Sequence, residues 1–372
     1  MAVSIITQPY LYSSDIIYAR SPVVYGFSGC VASAFTYKFI LYCSTGTTSD
    51  LTTIYASIDR IPDTNGCITV DASMLIRNYI KNNYNISYTG NYLTYFTARL
   101  VEYINNGVNA ETTTNIAIAS LGYINDSSGG FNDDEEVGEY IVSYIPITNE
   151  IYIPTFLSYT LRYKNIDSAG YSITYTDLIS GSTTITEFWA AEVYAADRIK
   201  NIKCGYYDIY TDYGRVNIDQ SKPIQILISG TTYTIYPFPC LEDLYPVDFI
   251  NINGVLDTIY FIGRGTTTDM IEYETYKYNK VNYQTATYNS ASGSYHKLFT
   301  NGKIKLVLNT GWIDEDYNLK LEQLFLSEYC WIYGKPYLVT DKEMTFKTNR
   351  YDRMINYTIT FERGYDRINN VY

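Results

Sequence analysis

The chain has 372 residues, 46% hydrophobic and 18% charged, with a formal net charge of −12. That length predicts two or three domains with packed cores, and the acidic balance argues against general nucleic-acid binding, which needs clustered Lys and Arg. Tyrosine, at 44 residues, fills much of the charge deficit; its large contact area and single hydroxyl suit strands and protein interfaces, and an AT-rich genome also favours its codons.

The first segment, Met1 to Arg20, carries polar residues and Pro9 where a signal peptide needs an apolar centre. No apolar run is long enough to span a bilayer, so no membrane partner is expected. Strands are predicted over Phe35 to Tyr42, Tyr95 to Tyr103, Phe156 to Tyr163, Tyr171 to Tyr175 and Tyr206 to Tyr210, because β-branched and aromatic runs recur there between Gly, Asn, Asp and Ser clusters. A helix is predicted over Asp71 to Lys81, capped by either Asp71 or Ser73, with Leu75, Ile76 and Tyr79 at helical spacing. Ser127 to Glu139 reads as a Gly-rich acidic loop ahead of a strand over Tyr140 to Ile145.

Further along, Ile224 to Ser229, Gly230-Thr231 and Thr232 to Tyr236 form one predicted hairpin. Trp331 to Tyr333, Gly334-Lys335 and Pro336 to Thr340 form another, where Pro336 suits a strand start or an edge strand. Ile304, Leu306 and Leu308 share one face of an alternating run, as do Tyr357, Ile359 and Phe361, which predicts strands with one buried face. A second helix is predicted from Asp314, its N-cap, to about Glu328, with Leu321, Leu324, Phe325 and Glu328 on one stripe. This helix is expected to lie on a sheet formed by 303–309, 331–340, 344–348 and 355–361. Pro146 and the cluster Pro237, Pro239 and Pro246 mark changes of section. The expected architecture is mainly β, with antiparallel β-sandwich-like modules over 1–145 and 146–240 and a C-terminal α+β unit over 241–372.

The residues that could carry chemistry are few. Cys30, Cys43, Cys67, Cys204, Cys240 and Cys330 form no C-x-x-C pair and read as free, mostly buried thiols. His296, the one histidine, stands in a Gly/Ser-rich stretch without a nucleophile motif and reads as a surface or loop residue. Gly263-Arg264-Gly265 lacks the Lys-Ser/Thr of a phosphate loop and reads as a turn. Asp133, Asp134, Glu135 and Glu136 read as a solvated acidic face, with a Ca²⁺ site or docking on a basic partner as alternatives. Asp314-Glu315-Asp316 reads as a helix cap in preference to a cation site. Trp189, Trp312 and Trp331 are read as core or interface residues, with a sugar-stacking platform as the alternative. No catalytic, cofactor or metal residues are predicted, and no enzyme activity is expected.

Three blocks carry a resemblance: Asn301 to Asn318 (NGKIKLVLNTGWIDEDYN), Gln323 to Ile332 (QLFLSEYCWI) and Phe346 to Glu362 (FKTNRYDRMINYTITFE). With Tyr245 to Phe261 (YPVDFININGVLDTIYF), they resemble virion structural proteins of short-tailed phages infecting Bacteroidetes, the crAss-like group. Ser21 to Tyr25 and Val70 to Ile80 resemble the same group more weakly. The resemblance implies a tail, collar or ring protein that assembles as a symmetric oligomer in the host bacterial cytoplasm. Its implied partners are copies of itself in a ring and other tail, portal or collar proteins, with room for viral DNA in a lumen. The competing expectation is a receptor- or glycan-binding tail protein.

Overall fold

The computed structural model describes residues 3–8, 16–31, 36–45, 50–83, 93–104, 107–123, 140–141, 143–164, 170–188, 199–238, 244–278, 281–282, 284–288, 293–341, 343, 345 and 354–368. The acidic loop Ser127 to Glu139, Trp189, Cys240 and most of the strand expected over 344–348 lie outside these residues. The fold is mainly β, built from several antiparallel sheets with a C-terminal helix. Contacts gather the chain into two compact units: residues 1–240 with 249–257 and 319–327, and residues 241–248 with 258–318 and 328–372.

Two sheets open the first unit. Ser4–Thr7, Val24–Ser28 and Ile68–Asp71 form a three-stranded sheet. A larger sheet runs in the order Ile16–Tyr18, Ala117–Ser120, Thr94–Ile104, Thr36–Ser44 and Ile54–Arg60, with Gly107–Thr113 also pairing to Thr94–Ile104. Its Ile16–Tyr18 edge pairs in parallel. The two sheets face each other through aromatic rings: Phe39 lies 5.4 Å from Tyr25 and 6.5 Å from Phe27, and all three are buried. Alternate residues of each strand thus meet in one core, which is the sandwich arrangement. Helix α1 (Ser73–Asn83) begins where Asp71 Oδ1 accepts from the Ser73 N–H at 2.9 Å. It buries Ile76 and Ile80, and Tyr79 meets Tyr55 edge-on at 4.9 Å.

A five-stranded sheet follows, in the order Glu150–Pro154, Thr231–Phe238, Ile224–Ile228, Gly170–Asp177 and Gly181–Phe188. In Ile224–Ile228 the three isoleucines are buried while Gln225 and Leu227 face outward, so the two-residue period of the sequence is read directly as a buried and an exposed face. Ser229 (φ 44°) and Gly230 (φ 82°) are both left-handed, the conformation a two-residue hairpin turn needs. Tyr333 (φ 50°) and Gly334 (φ 70°) make the same turn in the second predicted hairpin, so both turns fall one residue before the expected Gly230-Thr231 and Gly334-Lys335. There Pro336 is the second residue of Lys335–Val339, which is an interior strand and not an edge.

Three expected strands are revised. Tyr140 to Ile145 shortens to Tyr140–Ile141. Phe156 to Tyr163 shortens to Thr160–Lys164. Tyr206 to Tyr210 is not a strand but helix α2 (Tyr206–Thr211). Its Asp208 carboxylate accepts from Ser158 Oγ (2.5 Å), Tyr159 N (2.8 Å) and Gly205 N (2.9 Å), which fixes the first turn. Burial then follows the helical spacing: Tyr206 and Ile209 are inside, and Tyr207 and Tyr210 are outside. Strand propensity is overridden by a polar anchor that reaches in from Ser158 and Tyr159, about fifty residues earlier.

Helix α3 (Asn318–Leu326) is entered through a 3-10 turn, Glu315–Tyr317, whose N-cap is Asp314, its Oδ1 accepting from Asp316 N at 3.0 Å. Leu321 and Leu324 are fully buried, as the stripe predicts. The body of α3 groups with the closed end of the hairpin made by Leu244–Ile250 and Leu256–Ile262. Ser327 Oγ and Gln323 Oε1 accept from Ile250 N (3.1 Å) and Ile252 N (3.3 Å).

The tip of that hairpin, Asn251 to Gly254, is seated against the first sheets. Tyr18 Oη donates to Asn253 Oδ1 (2.9 Å), Ser120 Oγ to the Asn253 carbonyl (3.0 Å), and Tyr123 N to the Ile252 carbonyl (2.8 Å). The approach demands glycine: a Cβ on Gly122 would stand 2.4 Å from the Ile252 carbonyl oxygen, and one on Gly254 (φ 75°) 2.5 Å from Gly122 N. Beneath the tip, Asp257 Oδ1 pairs with Lys320 Nζ at 3.0 Å with both side chains almost wholly buried. Asp257 Oδ2 accepts from Tyr144 N at 2.6 Å and Asn251 Nδ2 at 3.4 Å. One carboxylate therefore joins segments more than a hundred residues apart in sequence.

The second unit is dominated by a seven-stranded sheet in the order Leu256–Ile262, Leu244–Ile250, Cys330–Ile332, Lys335–Val339, Thr358–Arg363, Tyr295–Asn309 and Thr266–Lys277. The two outermost strands are joined by residues 263–265 alone, a link that spans at most about 14 Å. The sheet is therefore rolled, and Phe261 meets Phe361 edge-on at 5.5 Å inside the roll. Gly263 (φ 111°) makes the turn, as expected for Gly263-Arg264-Gly265.

Candidate interaction surface

Thr266–Lys277 and Tyr295–Asn309 pair from Thr266↔Val307 to Lys277↔Tyr295. On its other side, Tyr295–Asn309 pairs with Thr358–Arg363 only over Lys305 to Asn309. Leu306 and Leu308 are buried there. The C-terminal segment straps the next stretch: Arg367 N donates to the Gly302 carbonyl (2.6 Å), Asn301 Nδ2 to Asp366 Oδ2 (2.9 Å), and Arg367 pairs with Asp269 at 2.6 Å. Past Asn301 the two strands are paired with each other, and every described side chain from Tyr295 to Thr300 is exposed. The result is a two-stranded arm, extended by Tyr278 N donating to the Ser294 carbonyl at 2.8 Å.

A bulge marks the start of the free portion. The register shifts between Glu272 and Glu274, and Phe299 there is left-handed (φ 51°). The extra residue turns the Phe299 ring out, 76% exposed. Opposed residues of an antiparallel pair share a face. One face carries Tyr276 stacked on His296 at 5.6 Å, with Tyr278 edge-on to His296 at 5.9 Å. The other carries Tyr273, with Lys297 Nζ 4.1 Å from its ring centre, and Tyr295 opposite Lys277. Both faces are thus aromatic and both are wet. A lone two-stranded ribbon is marginal in water, and Tyr and Phe are among the residues enriched at contact surfaces.

The residues singled out from sequence distribute as follows. His296 is an exposed residue of the arm. Trp312 is 66% exposed after the left-handed Gly311 (φ 71°). Trp331 is buried and stacks on Tyr329 at 6.0 Å, so it cannot serve a sugar platform. Asp314 acts as a cap. Cys30, Cys43, Cys204 and Cys330 are buried free thiols and Cys67 is half-buried. Burial pushes the Cys30 thiol up to about 11, with Glu102 adding to it, and raises Cys43, Cys204 and Cys330 further, so these remain protonated and inert near neutrality. Among the described residues no cluster of His, Cys, Asp or Glu could hold a metal ion, and no helix is long and apolar enough to cross a membrane. The arm itself is absent from the sequence reading. Its signal was there: Thr266 to Lys277 (TTTDMIEYETYK) has strand formers without an apolar face on either parity.

No family model matches the chain, and no curated protein matches it. Among solved structures, a similar chain is described as "Crystal structure of tetra-tandem repeat in extending region of large adhesion protein". It is 9% identical, the match covers 83% of this chain and 69% of that one, and the TM-score is 0.24, too low to carry an argument about fold or function.

Proposed function

We propose that this chain is a non-enzymatic assembly protein of a tailed-phage virion, a tail or collar ring or adaptor subunit that forms a symmetric oligomer. The observation that carries the assembly reading is the arm, a ribbon with Tyr273, Tyr276, Tyr278, Tyr295 and Phe299 exposed on a rolled sheet. A ring needs one surface of each subunit to meet a different surface of the next, and a projecting element of this kind suits that heterologous contact. The virion setting rests on the resemblance of Tyr245 to Phe261, Asn301 to Asn318, Gln323 to Ile332 and Phe346 to Glu362 to short-tailed phage proteins. Its partners are copies of itself and neighbouring tail, portal or collar proteins.

The test is the mass of the purified protein by light scattering, with negative-stain imaging at rising concentration. Rings of defined symmetry are expected. A strict monomer at every concentration that also fails to bind purified virion partners overturns the reading. The glycan-binding alternative is favoured by one observation, the exposed Trp312 ring. Glycan-array binding that disappears in Trp312→Ala would replace the assembly reading with that one.

A further inference from the structure

The arm differs in charge from the rest of the chain. Its described residues from 273 to 278 and from 293 to 299 carry Lys277 and Lys297 against Glu274, a net +1, on a chain whose total is −12. Lys277 and Lys297 are described and exposed, placed among the five exposed aromatic rings. The free portion, 273–278 paired with 295–300, reaches roughly 20 Å. Two faces about 10 Å wide then offer on the order of 400 Å², about half of one partner's share of a standard interface. A basic, aromatic ribbon on an acidic chain is complementary to another copy of that same chain.

We propose that the arm seats on the acidic exterior of a second copy of this chain, Tyr273, Tyr276, Tyr295 and Phe299 supplying the contact area and Lys277 and Lys297 the charge. This rests on the oligomeric reading above and names the element that makes the contact. The arrangement is heterologous, arm to body, and so propagates from copy to copy.

The experiment places the photoreactive p-benzoylphenylalanine at Tyr276 in the full chain and irradiates the purified protein at low and high salt, with light scattering on the same samples. Covalently linked pairs of this chain are expected. Their yield is expected to fall several-fold when salt is raised from about 50 to about 500 mM, and at least ten-fold in a Lys277→Glu, Lys297→Glu variant. Both lysines are exposed on the arm, so the variant's circular dichroism and melting are expected to match the parent. An oligomer without arm-linked pairs overturns the arm's role and leaves the oligomeric reading standing. The absence of both oligomer and linked pairs overturns both. Linkage that ignores salt and charge reversal overturns the electrostatic match, and linkage to added DNA in preference to the chain overturns the choice of partner.

Discussion

Replacing Lys320 with alanine leaves the Asp257 carboxylate buried without the ammonium 3.0 Å away. Breaking one half of a buried pair costs about 3–5 kcal/mol, because the remaining charge stays desolvated. Denaturant midpoints are expected to show a loss of that size for Lys320→Ala. Lys320→Met combined with Asp257→Asn, whose amide oxygen can still accept from Tyr144 N, is expected to recover much of it; a neutral single variant would show that the pair does not hold the hairpin tip. Exposed pairs behave differently: Lys203 and Asp212, both well exposed, contribute under about 1 kcal/mol.

Asp208 sets a second residue-scale expectation. Burial raises its carboxyl above the ordinary 3.8, against the lowering effect of hydrogen bonds from Ser158, Tyr159 and Gly205. The folded chain binds this proton more tightly than the unfolded chain, so its contribution to folding is complete below 3.8 and fades as pH rises. Asp177, Asp212 and Asp219 are shifted down, chiefly by hydrogen bonds from Ser180, Lys203 and Ser221 respectively. They stabilise above 3.8 and lose that contribution as pH falls. Asp208→Asn is therefore expected to steepen the loss of stability on acidification, read from denaturation midpoints between about pH 3 and pH 6. An unchanged slope would show that Asp208 titrates normally.

At the scale of elements, the hairpin tip and its glycines make the sharpest expectation. Gly122→Ala forces a methyl group within 2.4 Å of the Ile252 carbonyl oxygen. The backbone must move, at about 1–3 kcal/mol or more, and thermal melting reads the loss. Gly181 has open space around it, so Gly181→Ala meets only the strain of its φ of 78° and serves as a control.

Elements also show what was legible in the sequence. Where a strand keeps one dry face the alternation is plain, as in Tyr357, Ile359 and Phe361, all buried. Both hairpins were legible from their glycines, but each turn falls one residue early, because the glycine takes the second left-handed position of the turn and not the first. Helix α2 was hidden, since Tyr-Tyr-Asp-Ile-Tyr carries strand formers and its helical anchor comes from Ser158 and Tyr159, far along the chain. The arm was hidden for a different reason. Period-based reading looks for one apolar face, and a ribbon wet on both faces has none. The buried ion pair of Asp257 and Lys320 could not be read at all, because nothing local joins residues that far apart.

For the molecule as a whole, net charge governs association. At −12 the copies repel one another, and that repulsion fades as carboxylates take up protons. The proposed arm contact needs those same carboxylates ionised. Lowering pH toward the isoelectric point is therefore expected to reduce any species of defined mass in light scattering while polydisperse aggregate grows. Growth of the defined species on acidification would count against an arm drawn by charge.

The seating of residues 249–257 and 319–327 in the first unit has a consequence for biosynthesis. A ribosome delivers residues 1–240 well before the segments that complete their packing. Until residue 257 has emerged, Gly122 and Ser120 have no hairpin tip to receive and the Tyr144 amide has no Asp257 to meet, and until Lys320 follows, Asp257 has no cation. The nascent chain must wait with part of its interior open, and that unit closes only after 319–327 has been made, even though most of its residues were made first. A gene truncated after residue 240 would encode nearly all of that unit and still lack the pieces that close it.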